Sequence, residues 1–203
     1  MLTRSPQGLG FRMDEIGVVI LAGGLGTRMG GGKPERLFKG RRLIEYVLDR
    51  AATWDVPMAI CVREPGQVAA GVVDQIFDRP GVEGPLAGLL TALDWGRGAG
   101  LGHVLILPCD TPFLPENVLA RLWRAARDAG APAVAESNDR RHPTCAVWPV
   151  MSLPQIKTYA ATGQRSLSGA LDACNAVELS WSDNASDVFI NINTPGDLEA
   201  LQG

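Results

Sequence analysis

The chain contains 203 residues, of which 46% are hydrophobic and 20% are charged, and its formal net charge at pH 7 is −3. This length suffices for one sizeable hydrophobic core. The acidic balance excludes a strongly basic surface, so we expect neither nucleic acid nor a membrane as a partner. No apolar run approaches the ~20 residues that span a bilayer, and the first residues lack the pattern of a signal peptide. We therefore expect a soluble, cytoplasmic protein with a flexible extension at residues 1–13.

The cysteines and histidines are too scattered for a zinc site or a disulfide framework. The four cysteines are widely separated and show neither the close pairs of zinc sites nor the density of secreted scaffolds. His103 and His142 have no cysteine or acid at metal-ligand spacing. We expect reduced thiols and no zinc.

Short apolar runs alternate with helical patterns along most of the chain. Strands are predicted at 18–21, 58–62, 75–77, 104–107, 133–135, 144–150, 177–179 and 189–192. Helices are predicted at 43–51, 86–93, 119–126, 153–161 and 166–174, with a last helix capped by Thr194. This alternation predicts an α/β fold with a mainly parallel central sheet, whose ligands bind beyond the carboxyl ends of the strands.

A glycine-rich segment, residues 21–33, follows the first apolar run directly. It holds six glycines, together with Arg28 and Lys33. Glycines let backbone N–H groups turn toward an anion, and the two cations can offset the charge of a polyphosphate. The segment therefore predicts a nucleotide site, although a ligand-free turn is the structural alternative.

The spacing of this segment excludes the two commonest phosphate loops. Met29 stands where the dinucleotide fingerprint requires its third glycine. Thr27 and Pro34 stand where the P-loop requires a glycine and a Ser or Thr. A different class of nucleotide chemistry is indicated.

Asp110 follows the buried-strand pattern of 104–107 and stands between Pro108 and Pro112. A carboxylate at the carboxyl end of a strand can bind Mg²⁺, which prefers one or two carboxylates together with phosphate oxygens and water. The alternative is an aspartate that merely forms a turn with its own backbone.

A second acid, Asp78, follows the pair Ile76-Phe77, and Gly84 opens a tight turn into the next predicted helix. Backbone N–H groups at that helix start could face a ligand. Taken alone, an exposed aspartate and a Gly-Pro turn are also common in loops that bind no ligand.

Two further polar segments lie in the second half. Arg140, Arg141 and His142 fall on a predicted turn, where the arginines suit phosphate and the alternative is a solvated loop. Asn191 and Asn193 alternate at the end of the last predicted strand, where their amides could cap the following helix or orient a substrate.

These motifs, in their order from about Gly17 to Leu201, strongly resemble the molybdenum cofactor guanylyltransferases, the MobA family. The resemblance implies a three-layer, Rossmann-like nucleotidyltransferase fold of the nucleotide-diphospho-sugar transferase type. It implies one domain at 14–203, with a nucleotide-binding part at about 14–112 and an acceptor-binding part at about 113–203. Related cytidylyltransferases look like Leu-Ala-Ala-Gly at the loop, so Gly23 favours guanine.

The resemblance also assigns roles to individual residues. Lys33 is implied to touch the triphosphate and Asp110 to bind Mg²⁺. Together with Arg28, whose charge can offset that of the phosphates, they are expected to be catalytic. The implied GTP contacts are Leu21, Ala22, Gly23, Gly24, Lys33, Asp78, Gly84 and Asp110. The polar segments of the second half are expected to contact the pterin through Arg140, Arg141, His142, Asn191 and Asn193. One departure concerns the second strand, which often ends in Asn in this family and here runs Ile60-Cys61-Val62-Arg63.

The implied reaction is transfer of GMP from GTP to the terminal phosphate of molybdopterin, with release of pyrophosphate. A CTP-dependent molybdopterin cytidylyltransferase, a sugar-nucleotide transferase and a non-catalytic carrier of pterin or nucleotide are the alternatives. Transient contacts with cofactor-biosynthesis proteins or molybdoenzyme chaperones would follow from such a role. We expect a monomer.

Overall fold

The computed structural model describes residues 15–24, 33–69, 71, 73–79, 81–82, 84–181, 189–192 and 197. The expected flexible extension at 1–13, Arg28 with most of the glycine-rich segment, Asn193 and the start of the helix expected from Thr194 lie outside these residues.

The strands and helices of the described residues lie close to the predicted positions, except for β2 and β3, which the sequence did not predict. The strands are β1 (Ile16–Leu21), β2 (Leu37–Phe38), β3 (Arg41–Arg42), β4 (Met58–Val62), β5 (Asp74–Phe77), β6 (His103–Pro108), β7 (Ala133–Ser137), β8 (Arg140–Pro149) and β9 (Val177–Ser180). The α-helices are α1 (Leu43–Ala52), α2 (Pro85–Gly98), α3 (Val118–Ala129), α4 (Leu153–Ala161) and α5 (Leu167–Ala173).

Seven of these strands form one sheet in the order β5-β4-β1-β6-β8-β7-β9. The pairs β5–β4, β4–β1, β1–β6 and β7–β9 are parallel, whereas β8 runs antiparallel to both of its neighbours. The prediction of a mainly parallel sheet is confirmed. The short strands β2 and β3 form a separate two-stranded ribbon.

Apolar side chains cover both faces of the sheet, which gives the protein three layers. Along β1, Val18 and Ile20 pack in the core beneath α1 and α3, whereas Val19 joins the core beneath α2, α4 and α5. Successive side chains of a strand point to opposite faces, so a strand buried on both sides must be continuously apolar. Burial of each such side chain contributes about 1.5–3 kcal/mol.

The predicted turn around 138–144 is much shorter in the structure. Only Asn138 and Asp139 form it, with φ of 50° and 56°, and β8 begins at Arg140. Two residues with positive φ make the tight connection of a β-hairpin, a conformation that Asn and Asp tolerate better than most residues. The prediction that Arg140, Arg141 and His142 lie on a turn is therefore wrong, because they are the first residues of a strand.

The strand predicted at 189–192 is also wrong. These residues form an irregular segment, in which the backbone N–H of Ile192 donates to the Asp110 carbonyl at 3.0 Å. Phe189 and Ile192 are buried. These apolar side chains pack across the end of the sheet. A short apolar run in the sequence does not distinguish such packing from pairing along a strand.

Two further findings concern the cysteines and the helices. The four cysteines are buried and none forms a disulfide. Among the described residues, no helix is both long and apolar enough to cross a membrane.

Two glycines of α2 provide a matched test of the packing of this helix on the sheet. A Cβ added at Gly96 would lie 2.5 Å from Val104 Cγ2 and 3.0 Å from Val150 Cγ2, whereas one added at Gly98 meets no atom within 4 Å. We expect Gly96→Ala to lower the free energy of unfolding by about 1–3 kcal/mol through overpacking. Gly98→Ala should leave stability unchanged or raise it by up to ~1 kcal/mol. Urea unfolding of both variants tests this, and equal stabilities would contradict the packing.

Candidate active site

A cavity of about 360 Å³ opens at the carboxyl ends of β1, β4, β5 and β6. This opening, named here the first cavity, contains five of the residues predicted to bind GTP. They are Leu21, Gly23, Gly24, Asp78 and Gly84. Its other lining residues are Cys61, Arg63, Pro85, Gly88, Pro108 and Thr144.

The register of the sheet brings these residues together. Leu21 lies opposite Cys61 of β4 on one side and Pro108 of β6 on the other. The N–H of Ala22 donates to the Cys61 carbonyl at 2.8 Å, and the Ala22 side chain is buried in the core. Ala22 therefore does not line the first cavity, and a ligand could contact it only through its backbone carbonyl.

Asp78 lies one residue beyond β5, where its N–H continues the pairing by donating to the Val62 carbonyl at 2.8 Å. Its carboxylate occupies the space beside Gly23, because a Cβ at position 23 would lie 2.7 Å from Asp78 Oδ2. The residue type at position 23 thus controls how closely the loop approaches this carboxylate.

Gly84 and Gly88 shape the opposite wall at the start of α2. Gly84 has φ 76° and ψ −169°, a backbone conformation that side chains other than glycine rarely adopt. Pro85 follows at the first position of the helix, where its missing N–H costs nothing. A Cβ at Gly88 would lie 3.0 Å from Leu21 Cδ2, so the helix approaches β1 closely. The first turn of the helix therefore borders the cavity.

Arg63 is a lining residue that the sequence interpretation missed. It follows β4 directly, as Asp78 follows β5, so its position at a strand end was the available signal. Its N–H donates to Gln67 Oε1 at 2.8 Å, and Gln67 Nε2 donates to the Gly24 carbonyl at 3.4 Å. The turn after β4 is thereby tied to the start of the glycine-rich segment.

Asp110 lies just beyond β6 and is 5% exposed. The hydroxyl of Thr111 donates to Asn191 Oδ1 at 2.6 Å, which joins the end of β6 to the segment 189–192. Among the described residues, no three His, Cys, Asp or Glu side chains form a metal-binding cluster. Mg²⁺ needs only one or two carboxylates when phosphate oxygens and water complete its shell, so the single carboxylate of Asp110 fits that ion.

A second cavity of about 320 Å³ lies beside this junction. Three of the residues predicted to bind the pterin line it, namely Arg140, His142 and Asn191. The sequence interpretation did not identify its other lining residues, which are Ser137, Asn138, Phe189 and Ile190.

His142 is held on two sides in the second cavity. Its Nε2 lies 2.8 Å from Ser137 Oγ, and its ring stacks on Phe189 with centroids 4.8 Å apart and an interplanar angle of 23°. Burial lowers the pKa of His142, and the positive charge of Arg140 lowers it further. Near pH 7 the imidazole is therefore neutral, and Arg140 carries the positive charge of this cavity.

The structure separates Arg141 from Arg140 and His142. Arg141 Nε donates to Glu178 Oε1 at 2.6 Å and Nη1 donates to Asp172 Oδ1 at 2.5 Å. The pairing of β7 with β8 is regular from Arg140 to His142, so Arg141 points to the opposite face. This arginine does not line the second cavity.

The backbone of β8 is irregular between the two cavities. Val134 pairs with Ala146 and Ala135 with His142, so β8 contains a bulge over residues 143–145. Pro143 cannot donate to the ladder, and bulges of this kind re-aim side chains. Thr144, within the bulge, lines the first cavity.

The side chains of three predicted site residues lie outside the description. Arg28 and Asn193 lie outside the described residues. Lys33 is the first residue of a short 3₁₀ turn, Lys33–Glu35, and its side chain lies outside the description. Their assigned roles remain predictions.

The low pKa of His142 provides a test of the electrostatics of the second cavity. We expect Arg140→Gln to raise the pKa of His142 toward its ordinary value near 6.5, though only partly, because burial is the larger cause. The lowered pKa of His103 is caused mainly by burial and not by Arg140, so it should stay unchanged. NMR titration of both imidazoles measures this.

The same shift fixes the direction of a stability effect. Because the folded-state pKa of His142 is lowered, the unfolded chain takes up the proton first as the pH falls. The stability that neutral His142 contributes to the fold is present above the ordinary pKa of histidine, and it is lost as the pH falls through the lowered pKa of the folded state. Arg140→Gln should therefore weaken the loss of stability on acidification, and an unchanged His142 pKa would contradict this account.

Comparison with known proteins identifies the family of this fold. Residues 18–176 match the family described as the MobA-like NTP transferase domain. The chain is 35% identical over 181 residues to the molybdenum cofactor guanylyltransferase of Cereibacter sphaeroides, covering 89% of this chain and 92% of that protein. It is 37% identical over 185 residues to the molybdenum cofactor guanylyltransferase of Rhodobacter capsulatus, covering 90% and 93%.

A solved structure supports the same assignment. The crystal structure of molybdopterin-guanine dinucleotide biosynthesis protein A from Archaeoglobus fulgidus is similar to this chain with a TM-score of 0.77 and 25% identity. The similarity covers 91% of this chain and 95% of that one. The expected nucleotidyltransferase fold is confirmed, and the chain belongs to the family of MobA-like NTP transferase domains.

Proposed function

We propose that this chain transfers GMP from GTP to the terminal phosphate of molybdopterin, forming molybdopterin guanine dinucleotide and pyrophosphate. The observation that carries this proposal is the pair of cavities on either side of the β6 end. Pro108 lines the first cavity and Asn191 lines the second. Asp110 follows Pro108 by two residues, and its carbonyl accepts from the N–H of Ile192, next to Asn191. A transfer between two bound substrates requires such neighbouring sites. The curated relatives that match nearly the whole chain are named molybdenum cofactor guanylyltransferases.

The first cavity suits the nucleotide. Its lining combines glycine backbone at Gly23, Gly24 and Gly84 with a cation, Arg63, and a carboxylate, Asp78. Glycine backbone admits close approach of a ligand, and a carboxylate oxygen accepts the N–H or O–H groups that a nucleoside presents. In this proposal Arg28 and Lys33 of the glycine-rich segment offset the charge of the triphosphate.

The second cavity suits the acceptor. Arg140 supplies a positive charge for a phosphate. The neutral ring of His142, stacked on Phe189, supplies a flat wall against which a planar heterocycle can pack. All of its lining residues lie after residue 136, whereas the first cavity draws only Thr144 from beyond residue 112. This distribution supports a nucleotide-binding part at about 14–112 and an acceptor-binding part at about 113–203.

The chemistry requires alignment and charge neutralisation. An oxygen of the acceptor phosphate forms a bond to the α-phosphorus of GTP, and the bond from that phosphorus to pyrophosphate breaks. A phosphate is already ionised near neutral pH, so no protein nucleophile or general base is needed. Asp110 would hold Mg²⁺, which when bound supplies positive charge beside the phosphate oxygens. The protein holds the two anionic substrates in line, and this lowers the entropic part of the barrier.

The proposal is tested by incubating the purified protein with molybdopterin, GTP and Mg²⁺ and measuring both pyrophosphate and the dinucleotide product. Formation of both only when all three are present supports guanylyl transfer. In a competition with equimolar CTP, preferential formation of the cytosine dinucleotide would indicate a cytidylyltransferase. Binding of GTP without release of pyrophosphate would indicate a carrier. Either of these outcomes contradicts the proposal.

Asp110→Ala tests the carboxylate that is proposed to hold Mg²⁺. We expect its loss to lower kcat by about 10²–10³-fold, the usual effect of removing one group that stabilises a transition state. Asp128→Ala is the control, because Asp128 is an exposed partner of Arg127 on α3. Near-normal turnover of Asp110→Ala at saturating Mg²⁺ would contradict the assignment.

The two adjacent arginines of β8 offer a matched pair. Arg140→Ala should raise the KM for molybdopterin about tenfold or more and leave the affinity for GTP unchanged, because it removes the cation of the second cavity. Arg141→Ala should leave both constants unchanged, because this guanidinium pairs with Asp172 and Glu178 on the other face. Steady-state kinetics with each substrate varied in turn measures both constants. Equal effects of the two substitutions would contradict the placement of the two arginines on opposite faces of β8.

A further inference from the structure

The floor of the first cavity contains a hydrogen bond between a side chain of β4 and a side chain one residue beyond β5. Cys61 Sγ of β4 donates to Asp78 Oδ1 at 3.1 Å. Cys61 is 1% exposed and lies opposite Ile76 of β5, two residues before Asp78. Because side chains alternate along a strand, Cys61, Ile76 and Asp78 lie on the same face of the sheet. The thiol and the carboxylate therefore meet by register.

The backbone around Asp78 is fixed independently of this hydrogen bond. The N–H of Asp78 donates to the Val62 carbonyl. The hydroxyl of Thr91 accepts from the N–H of Arg79 at 3.1 Å and donates to the carbonyl of Phe77 at 3.4 Å. With both flanking residues tied to α2, the freedom that remains to Asp78 is rotation of its side chain.

The two oxygens of the carboxylate have different surroundings. Oδ1 accepts the hydrogen bond from the Cys61 thiol and would lie 3.7 Å from a Cβ added at Gly88. Oδ2 lies 2.7 Å from the position of a Cβ at Gly23, at the start of the glycine-rich segment. The thiol thus engages one oxygen on the sheet side and leaves the other directed to the loop that borders the cavity.

The thiol acts as a constant donor. Burial raises the pKa of Cys61 above its ordinary value, and the negative charge of Asp78 raises it further. The sulfur consequently keeps its proton at physiological pH. An ionised carboxylate can only accept, so the direction of this hydrogen bond is fixed.

We propose that Cys61 is a positioning residue, whose thiol orients the Asp78 carboxylate so that Oδ2 is presented to the nucleoside part of the bound nucleotide. The identity of that nucleotide as GTP rests on the function proposed above. A carboxylate held in one rotamer before binding loses less conformational entropy when the ligand arrives. Cys61 thereby contributes to affinity through Asp78 and without touching the reacting atoms.

The first experiment compares GTP affinity in three cysteine variants of the full chain. Cys61→Ala should weaken binding about tenfold, since a hydrogen bond to a charged group is lost. Cys61→Ser retains a donor and should stay within about threefold of the wild-type affinity. Cys174→Ala is the control, because it removes another buried thiol from the same core, away from both cavities. Affinity is measured by calorimetry, and thermal unfolding monitors the fold of each variant.

A double-substitution cycle separates positioning from packing. If Cys61 acts through Asp78, then Cys61→Ala should change affinity less than about twofold when Asp78 is already replaced by Asn. A packing role would produce the same loss in both backgrounds. Equal losses in the cycle, or unchanged GTP affinity in Cys61→Ala, would overturn the proposal.

The infrared S–H stretch provides a readout that does not depend on ligand or turnover. Cys61→Ser identifies the band of this thiol, and we expect that band to shift to higher frequency in Asp78→Asn because the acceptor becomes neutral. A band that does not respond to Asp78→Asn would overturn the proposal even if Cys61→Ala fails to fold. Wild-type protein that binds GTP but forms no dinucleotide would contradict the proposed transfer alone, and the affinity cycle would still decide the role of Cys61.

Discussion

The parallel pairing of β1 with β4 and β6 is the constraint on which both cavities depend. Leu21 lies level with Cys61 and Pro108, so the three strands end at the same edge of the sheet. At each end the chain must turn away, and the residues beyond the ends converge without being close in sequence. Burial of both faces of β1 holds this register, since a slip of one residue would exchange the side chains of its two cores.

The polar side chains at this edge are held by neighbours from other elements. Asp78 accepts from Cys61, Thr111 donates to Asn191, and His142 lies between Ser137 and Phe189. A polar group removed from water must find a partner, or the fold is destabilised by about 1–3 kcal/mol. The same partners reduce the number of rotamers available before a ligand binds. Stability and preorganisation therefore have a common origin at this edge.

Positive charge is distributed unevenly in this acidic chain. Arg63 and Arg140 line the cavities, whereas Arg42 pairs with Glu35 and Glu45, and Arg141 pairs with Asp172 and Glu178. Arg140 and Arg141 are adjacent in sequence, and the alternation of β8 alone gives them different partners. A low net charge is thus compatible with local sites that attract anions.

The sequence by itself determined most of the strands and helices and their order, the mainly parallel sheet, and the strand ends that carry Gly23, Asp78 and Asp110. These properties follow from local periodicity and from punctuation by glycine and proline, which a single sequence displays. The family resemblance rested on the same local motifs. Such features could be predicted because each depends on residues that are close together in the chain.

Only the tertiary structure decided the rest. The two-residue turn at Asn138 started β8 at Arg140, so that strand alternation put Arg140 and Arg141 on opposite faces. Packing across the sheet end made 189–192 an irregular segment, and strand register joined Cys61 to Asp78. Each of these contacts joins side chains whose relation depends on the pairing and register of strands, and the composition of either segment alone carries no information about it. Local pattern specifies which elements form, whereas non-local packing specifies which side chains meet.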